Sequence, residues 1–158
     1  MSTAIKSGIL LGLLVEIWTA VVILAGWHKD PAMMLVFFLV IPLQITIVIM
    51  ALRRTASESG YGKQVMNGLL LSAVAAVIIV LGSYVLTTSV FPNYFDELKT
   101  AGAEILAKAG RTPEQIAEEM AKNQSMYDPM GNAMTGGIAT VVTGLLVSLI
   151  AASFIRKR

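Results

Sequence analysis

Residues 65–90 read VMNGLLLSAVAAVIIVLGSYVLTTSV, 26 residues without one charged side chain. An α-helix rises about 1.5 Å per residue, so about 20 residues cross the roughly 30 Å hydrocarbon core of a bilayer. This stretch is therefore a membrane span with length to spare, which must tilt or project. Three more apolar runs surround it. Residues 7–26 are interrupted only by Glu16; residues 33–52 follow the polar turn Trp27-His28-Lys29-Asp30-Pro31 and close at Arg53-Arg54; residues 133–155 end in Arg156-Lys157-Arg158. The sequence predicts an all-α integral membrane four-helix bundle, one transmembrane domain over 1–158.

Composition points the same way. The chain is 56% hydrophobic and 14% charged, where a soluble domain carries roughly 25% charged residues. A net charge of +2 is too mild to imply nucleic acid as a partner. The absence of cysteine excludes disulfides, a thiolate nucleophile and a cysteine metal site. The first apolar run is too long for a signal-peptide core and lacks a small-x-small cleavage site, so it is expected to be retained.

Basic residues accumulate in cytoplasmic loops next to helix ends. One side of the bundle holds Lys6, Arg53, Arg54, Lys63, Arg156, Lys157 and Arg158 against the single acid Glu58. The other holds Lys29, Lys99, Lys108, Arg111 and Lys122 against eight acids, and most of its basic residues lie deep in a long loop. Both termini are thus expected in the cytoplasm, with the segment 92–128 outside.

That segment is patterned as two amphipathic helices and not as a flexible loop. From Pro92 to Ala109, Tyr94, Phe95, Leu98, Ala101, Ile105 and Leu106 share one helical face, and Gly110 supplies the left-handed stop. Thr112-Pro113-Glu114-Gln115 is a capping box with proline at the first helical position, predicting a second helix to about Met126 with Ile116 and Met120 inward. The expected partner-binding surface of this hairpin is Tyr94, Phe95, Leu98, Ile105, Ile116 and Met120.

Gly12–Gly26 (GLLVEIWTAVVILAG) and Gly68–Gly82 (GLLLSAVAAVIIVLG) match at seven of fifteen positions, which suggests a duplicated, parallel pair of helical hairpins.

Glu16 is the first candidate for chemistry, because an ionised carboxylate inside a bilayer costs several kcal/mol and is normally neutral, paired or facing a cavity. Gly8, Gly12 and Glu16 lie four apart on one helical face, so Glu16 is expected to point inward. It reads either as a proton or cation site or as a protonated acid bonded to Gln44, Thr46 or Ser72; the second is favoured, since a lone acid makes a poor relay. Small residues recur every four positions at Gly136, Thr140, Gly144 and Ser148, and at Gly68 and Ser72, a pattern for close helix packing within the chain or with a second copy. Pro42 is expected to kink the second span and free a carbonyl near Phe38. His28, the only histidine, reads as a polar cap at the membrane interface, and Gln64 and Asn67 as residues at the opposite interface. Met33, Met34, Met126, Met130 and Met134 read as adaptable packing at the outer rim. Asn123-Gln124-Ser125 matches a glycosylation sequon of little weight. No phosphate-binding loop, histidine pair, nucleophile triad or intramembrane aspartate pair is present, so no metal, no cofactor and no enzymatic activity is expected.

In linear order these features resemble the bacterial four-helix membrane proteins of the domain-of-unknown-function 4199 family. The likeness is carried by Gly8 and Gly12, by Gly60-Tyr61-Gly62-Lys63 leading to Gly68, and by Phe91-Pro92-Asn93-Tyr94-Phe95. It continues through Glu114-Gln115-Ile116 and Met120, Tyr127-Asp128-Pro129-Met130-Gly131-Asn132 and the ending GLLVSLIAASFIRKR. The resemblance implies a bacterial inner-membrane protein of this topology and supplies no catalytic or ligand residue. The residues themselves lead to a non-enzymatic accessory or scaffold subunit that presents its hairpin to another membrane protein or to a second copy. The alternative is a small proton-coupled transporter or sensor using Glu16.

Overall fold

The computed structural model describes residues 2–30 and 32–155; Pro31 of the first turn and the basic ending Arg156-Lys157-Arg158 lie outside the described residues. Among the described residues six α-helices follow one another: α1 (Thr3–Leu24), α2 (Val40–Arg54), α3 (Tyr61–Val85), α4 (Tyr94–Lys108), α5 (Pro113–Lys122) and α6 (Pro129–Ile155). Four helical stretches are long and apolar enough to cross a membrane: Thr3–Leu24, Met34–Arg54, Tyr61–Val90 and Pro129–Ile155.

Local chemistry sets the helix ends, several of them outside the predicted limits. Ser2 caps α1 through its hydroxyl, which accepts from the Ile5 N–H, so the helix starts four residues earlier than its apolar run. Gly26, at φ +69°, turns the chain out of α1 into a single 3-10 turn, Trp27–Lys29. Asp128 caps α6 by accepting from the Gly131 N–H at 2.8 Å, with Pro129 as first helical residue. The second span is not one α-helix kinked at Pro42. A 3-10 segment, Met34–Leu39, runs directly into α2, with the Val40 N–H bonded to the Phe37 carbonyl, so Pro42 falls two residues after the change from 3-10 to α. The third span leaves the α-form through a π-turn over Leu86–Val90, in which the Phe91 N–H reaches the Leu86 carbonyl at 2.8 Å. Between α4 and α5, Gly110 at φ +80° accompanies bonds from Arg111 N–H to Leu106 and from Gly110 N–H to Ala107. Thr112 and Gln115 form the capping box of α5.

The bundle is organised around α3, which is in close contact with α1 on one side and α6 on the other. Against α6 the fit is reciprocal. Ser148 fills the space a side chain on Gly68 would need, and Ser72 fills that of Gly144. These pairs, with Val80 against Gly137, run in opposite directions along the two helices, so α3 and α6 are antiparallel. Gly137, and not the expected Gly136, allows the last approach: a Cβ on Gly137 would lie 2.6 Å from Val80 Cγ2, whereas one on Gly136 would meet only Ile79 at 3.7 Å. The reason is geometric. A step of four residues overshoots a helical turn by about 40°, so after Ser148, Gly144 and Thr140 the stripe returns to the seam at a step of three.

Against α1 the register is parallel. A Cβ on Gly8 would lie 2.8 Å from Val74 Cβ and one on Gly12 2.7 Å from Ile78 Cβ, while Gly82 faces Glu16. All three pairs share an offset of 66 residues, which sets Leu24 level with Val90. The surplus length of the third span therefore projects at its other end, where Tyr61–Gly68 extends about 12 Å beyond the start of α1. It also means that residues matched in the apparent repeat, such as Gly12 and Gly68, sit about ten residues or 15 Å apart in depth. The two runs share apolar composition but not position.

The second span is attached by polar bonds. The Gln44 Nε2 donates to the Thr140 carbonyl of α6 at 2.7 Å. Gln64, fully buried at the start of α3, donates to the Leu52 carbonyl at 3.1 Å and accepts from the Thr55 hydroxyl at 3.1 Å. It thereby adds a bond to one main-chain carbonyl at the end of α2, which also accepts from the Thr55 N–H, a tie between spans and not merely a polar residue at the interface.

If the serine-over-glycine seam holds the bundle, Gly144→Ala should destabilise it by about 1–3 kcal/mol through overpacking. Adding Ser72→Gly, which clears the space, should recover most of the loss. The midpoints of denaturation in a mild detergent would show this; equal midpoints for wild type and Gly144→Ala would refute it.

Candidate functional site

Glu16 lies on the seam between α1 and α3. Its Oε1 accepts from the Ser83 hydroxyl at 2.8 Å, and Gly82 leaves room for the carboxyl, since a Cβ there would stand 2.8 Å from Glu16 Cδ. Oε2 is buried without a hydrogen-bonding partner among the described residues. One turn further along, the buried Thr87 donates to the Ser83 carbonyl at 2.7 Å. The expected partners are elsewhere. Ser72 lies eleven residues before Ser83, about 16 Å along α3, where it faces Gly144; Gln44 binds Thr140; and Thr46 bonds back to the Pro42 carbonyl. Glu16, Gln44 and Ser72 do not form one site. Glu16 belongs with Ser83, while Gln44 and Ser72 belong to the packing around Gly144.

A second polar group joins the first connection to α4. His28 is 4% exposed, and its Nε2 stands 2.8 Å from Glu97 Oε2. Lys29 Nζ is 2.8 Å from the other oxygen, Oε1. The imidazole packs on the Tyr94 ring, centroids 5.1 Å apart, and Tyr94 meets Phe95 edge-on at 4.9 Å. Hydrogen bonds from Lys29 and then His28 hold the Glu97 carboxyl below its ordinary range, while burial pushes the Tyr94 phenol up. His28 is thus a buried clamp between the first connection and α4. Nothing in the sequence links it to Glu97, 69 residues away.

The hairpin residues divide. Tyr94 and Phe95 turn towards the clamp, with Phe95 buried. Leu98 and Ile105 of α4 and Met120 of α5 line a pocket of about 320 Å³ between the two helices. Ile116 is half-buried outside that lining. The face of α5 left to solvent carries Glu114, Ala117, Glu118, Ala121 and Lys122. Among the described residues no three histidine, aspartate or glutamate side chains gather as they would around a metal.

Four long apolar helices, a carboxyl on an internal seam and a clamped pair of amphipathic helices define a multi-pass membrane protein of all-α architecture. The family model for proteins of unknown function, DUF4199, matches residues 6–157, nearly the whole chain, and the protein belongs to that family. No curated protein and no solved structure matches it.

Because the Glu97 value is lowered in the folded protein, its contribution to holding α4 is present above the ordinary carboxylate range and is lost as pH falls through the lowered value. The protection factors of amides across 94–108, taken relative to the intrinsic exchange rate at each pH, should therefore fall in acid. Glu97→Gln should show the lowered protection at every pH; protection equal to wild type at neutral pH would rule out the clamp.

Proposed function

We propose that this protein is a non-enzymatic accessory or scaffold subunit of the bacterial inner membrane, with both termini cytoplasmic and α4–α5 presented outside to a partner membrane protein. The observation that carries the reading is the Glu97 clamp. A buried histidine and a lysine fix α4 to the first connection, so the helical pair is held in a set orientation and not left to swing. A pre-organised surface loses less entropy on binding than a mobile one. The seven basic residues against one acid on the opposite side support the orientation. The partner-facing surface in this reading is the exposed face of α5, since the apolar residues of the pair turn inward.

Affinity purification from native membranes in mild detergent tests it. Wild type should return a stoichiometric membrane partner, and the double variant Ala117→Arg, Ala121→Arg, which alters only exposed positions, should lose it. Retention of every association after removal of residues 93–128 would overturn the reading.

One observation favours a second reading, a small proton-coupled transporter or sensor: the Glu16 Oε2 is buried and unpartnered beside Ser83. In that case Glu16→Gln abolishes proton-dependent flux across proteoliposomes while leaving the fold intact. An unchanged proton response in the variant excludes it.

A further inference from the structure

We propose that the pocket between α4 and α5 holds one acyl chain of a bilayer phospholipid. Its wall is formed by Leu98, Ile105, Leu106, Met120 and Met126, with Met34. Most polar side chains at its rim are committed elsewhere, the Tyr127 hydroxyl beside Gly102 excepted. Glu119 pairs with Arg111 at 3.4 Å, the Asn123 amide donates to the Glu119 carbonyl at 2.9 Å, and the Asn132 amide donates to the Met126 carbonyl at 3.0 Å. A polar ligand would find few free groups to replace its water, whereas an apolar one loses nothing by entering.

Position identifies the apolar occupant. Met34 opens the 3-10 segment that begins the second span, and Asn132 lies in the first turn of α6, so the pocket stands at the level where two spans leave the membrane. Apolar side chains are exposed both at the pocket and along α6. Met126 at the pocket is 51% exposed, and on α6 Met130, Met134, Ile138 and Val142 are 48%, 45%, 59% and 50% exposed. With Val77 and Leu81 of α3, Met134, Ile138 and Val142 line a wholly apolar groove of about 490 Å³. Three methionines, Met34, Met120 and Met126, line the pocket, and their side chains are flexible enough to fit a linear hydrocarbon. The proposal stands apart from the partner-binding reading and needs no partner for its test.

The test uses the full chain reconstituted in phosphatidylethanolamine and phosphatidylglycerol vesicles containing a trace of phospholipid with a diazirine at the acyl terminus. After illumination, mass spectrometry should find label within residues 94–127 as well as at Ile138 and Val142. Ile105→Trp, which fills the pocket, should lower labelling of 94–127 about tenfold, the change that 1.4 kcal/mol of lost binding produces, and leave Ile138 and Val142 unchanged. Met120→Trp fills the pocket from the other helix, and native helicity by circular dichroism qualifies each variant. Label confined to α6 overturns the proposal, as does label in 94–127 that neither filled variant reduces. Photolabelled dimers joined through 94–127 would give the pocket to a second copy, and labelling there by a diazirine fatty acid but not by the phospholipid would reject the phospholipid as source.

Discussion

Ser72 of α3 lies over Gly144 of α6, and Ser148 of α6 lies over Gly68 of α3. In a bilayer the surrounding tails are as apolar as leucine, so helices gain no hydrophobic stabilisation by meeting and depend on close van der Waals contact and on hydrogen bonds. Glycine at one helix and a small side chain at the other provide that contact. The remaining spans follow from this pair. Gly8 and Gly12 bring α1 against the opposite side of α3, and Gln44 and Gln64 tie α2 to α6 and α3 through main-chain carbonyls.

The same register decides what Glu16 meets. A parallel pairing offset by 66 residues brings its carboxyl to Gly82 and Ser83, where the missing glycine side chain makes room and the serine hydroxyl donates. It also sets the ends of the first and third spans level where the π-turn stops. The first connection and the start of α4 thus meet at one height, and His28 and Lys29 reach Glu97. Packing in the middle of the bundle and docking of the helical pair at its end are consequences of one register.

The helical pair turns its apolar side inward. Tyr94 and Phe95 cover the clamp, and Leu98, Ile105 and Met120 line the pocket. Most of the residues that looked adhesive in sequence therefore face the clamp or the pocket, and the charged face of α5 is left to solvent. Of the methionines read as adaptable packing, Met34 and Met126 line the pocket and Met134 the groove between α3 and α6.

The four spans, the two amphipathic helices, the Gly110 stop and the Thr112 capping box were legible in the sequence, because each depends on local hydrophobicity, period or backbone chemistry. So were Gly68, Ser72, Gly144 and Ser148 as packing residues, since a stripe of small side chains is a property of one helix. The pairing of Glu16 with Ser83, of His28 with Glu97 and of Gly137 with Val80 was not. Each joins residues far apart in sequence, and each depends on how far one helix is slid along its neighbour. An apolar run does not encode that slide, because leucine, valine and isoleucine are interchangeable at most depths. The sequence alone determined which segments enter the membrane and which faces pack closely; only tertiary structure, by fixing the register among those faces, decided which polar groups meet.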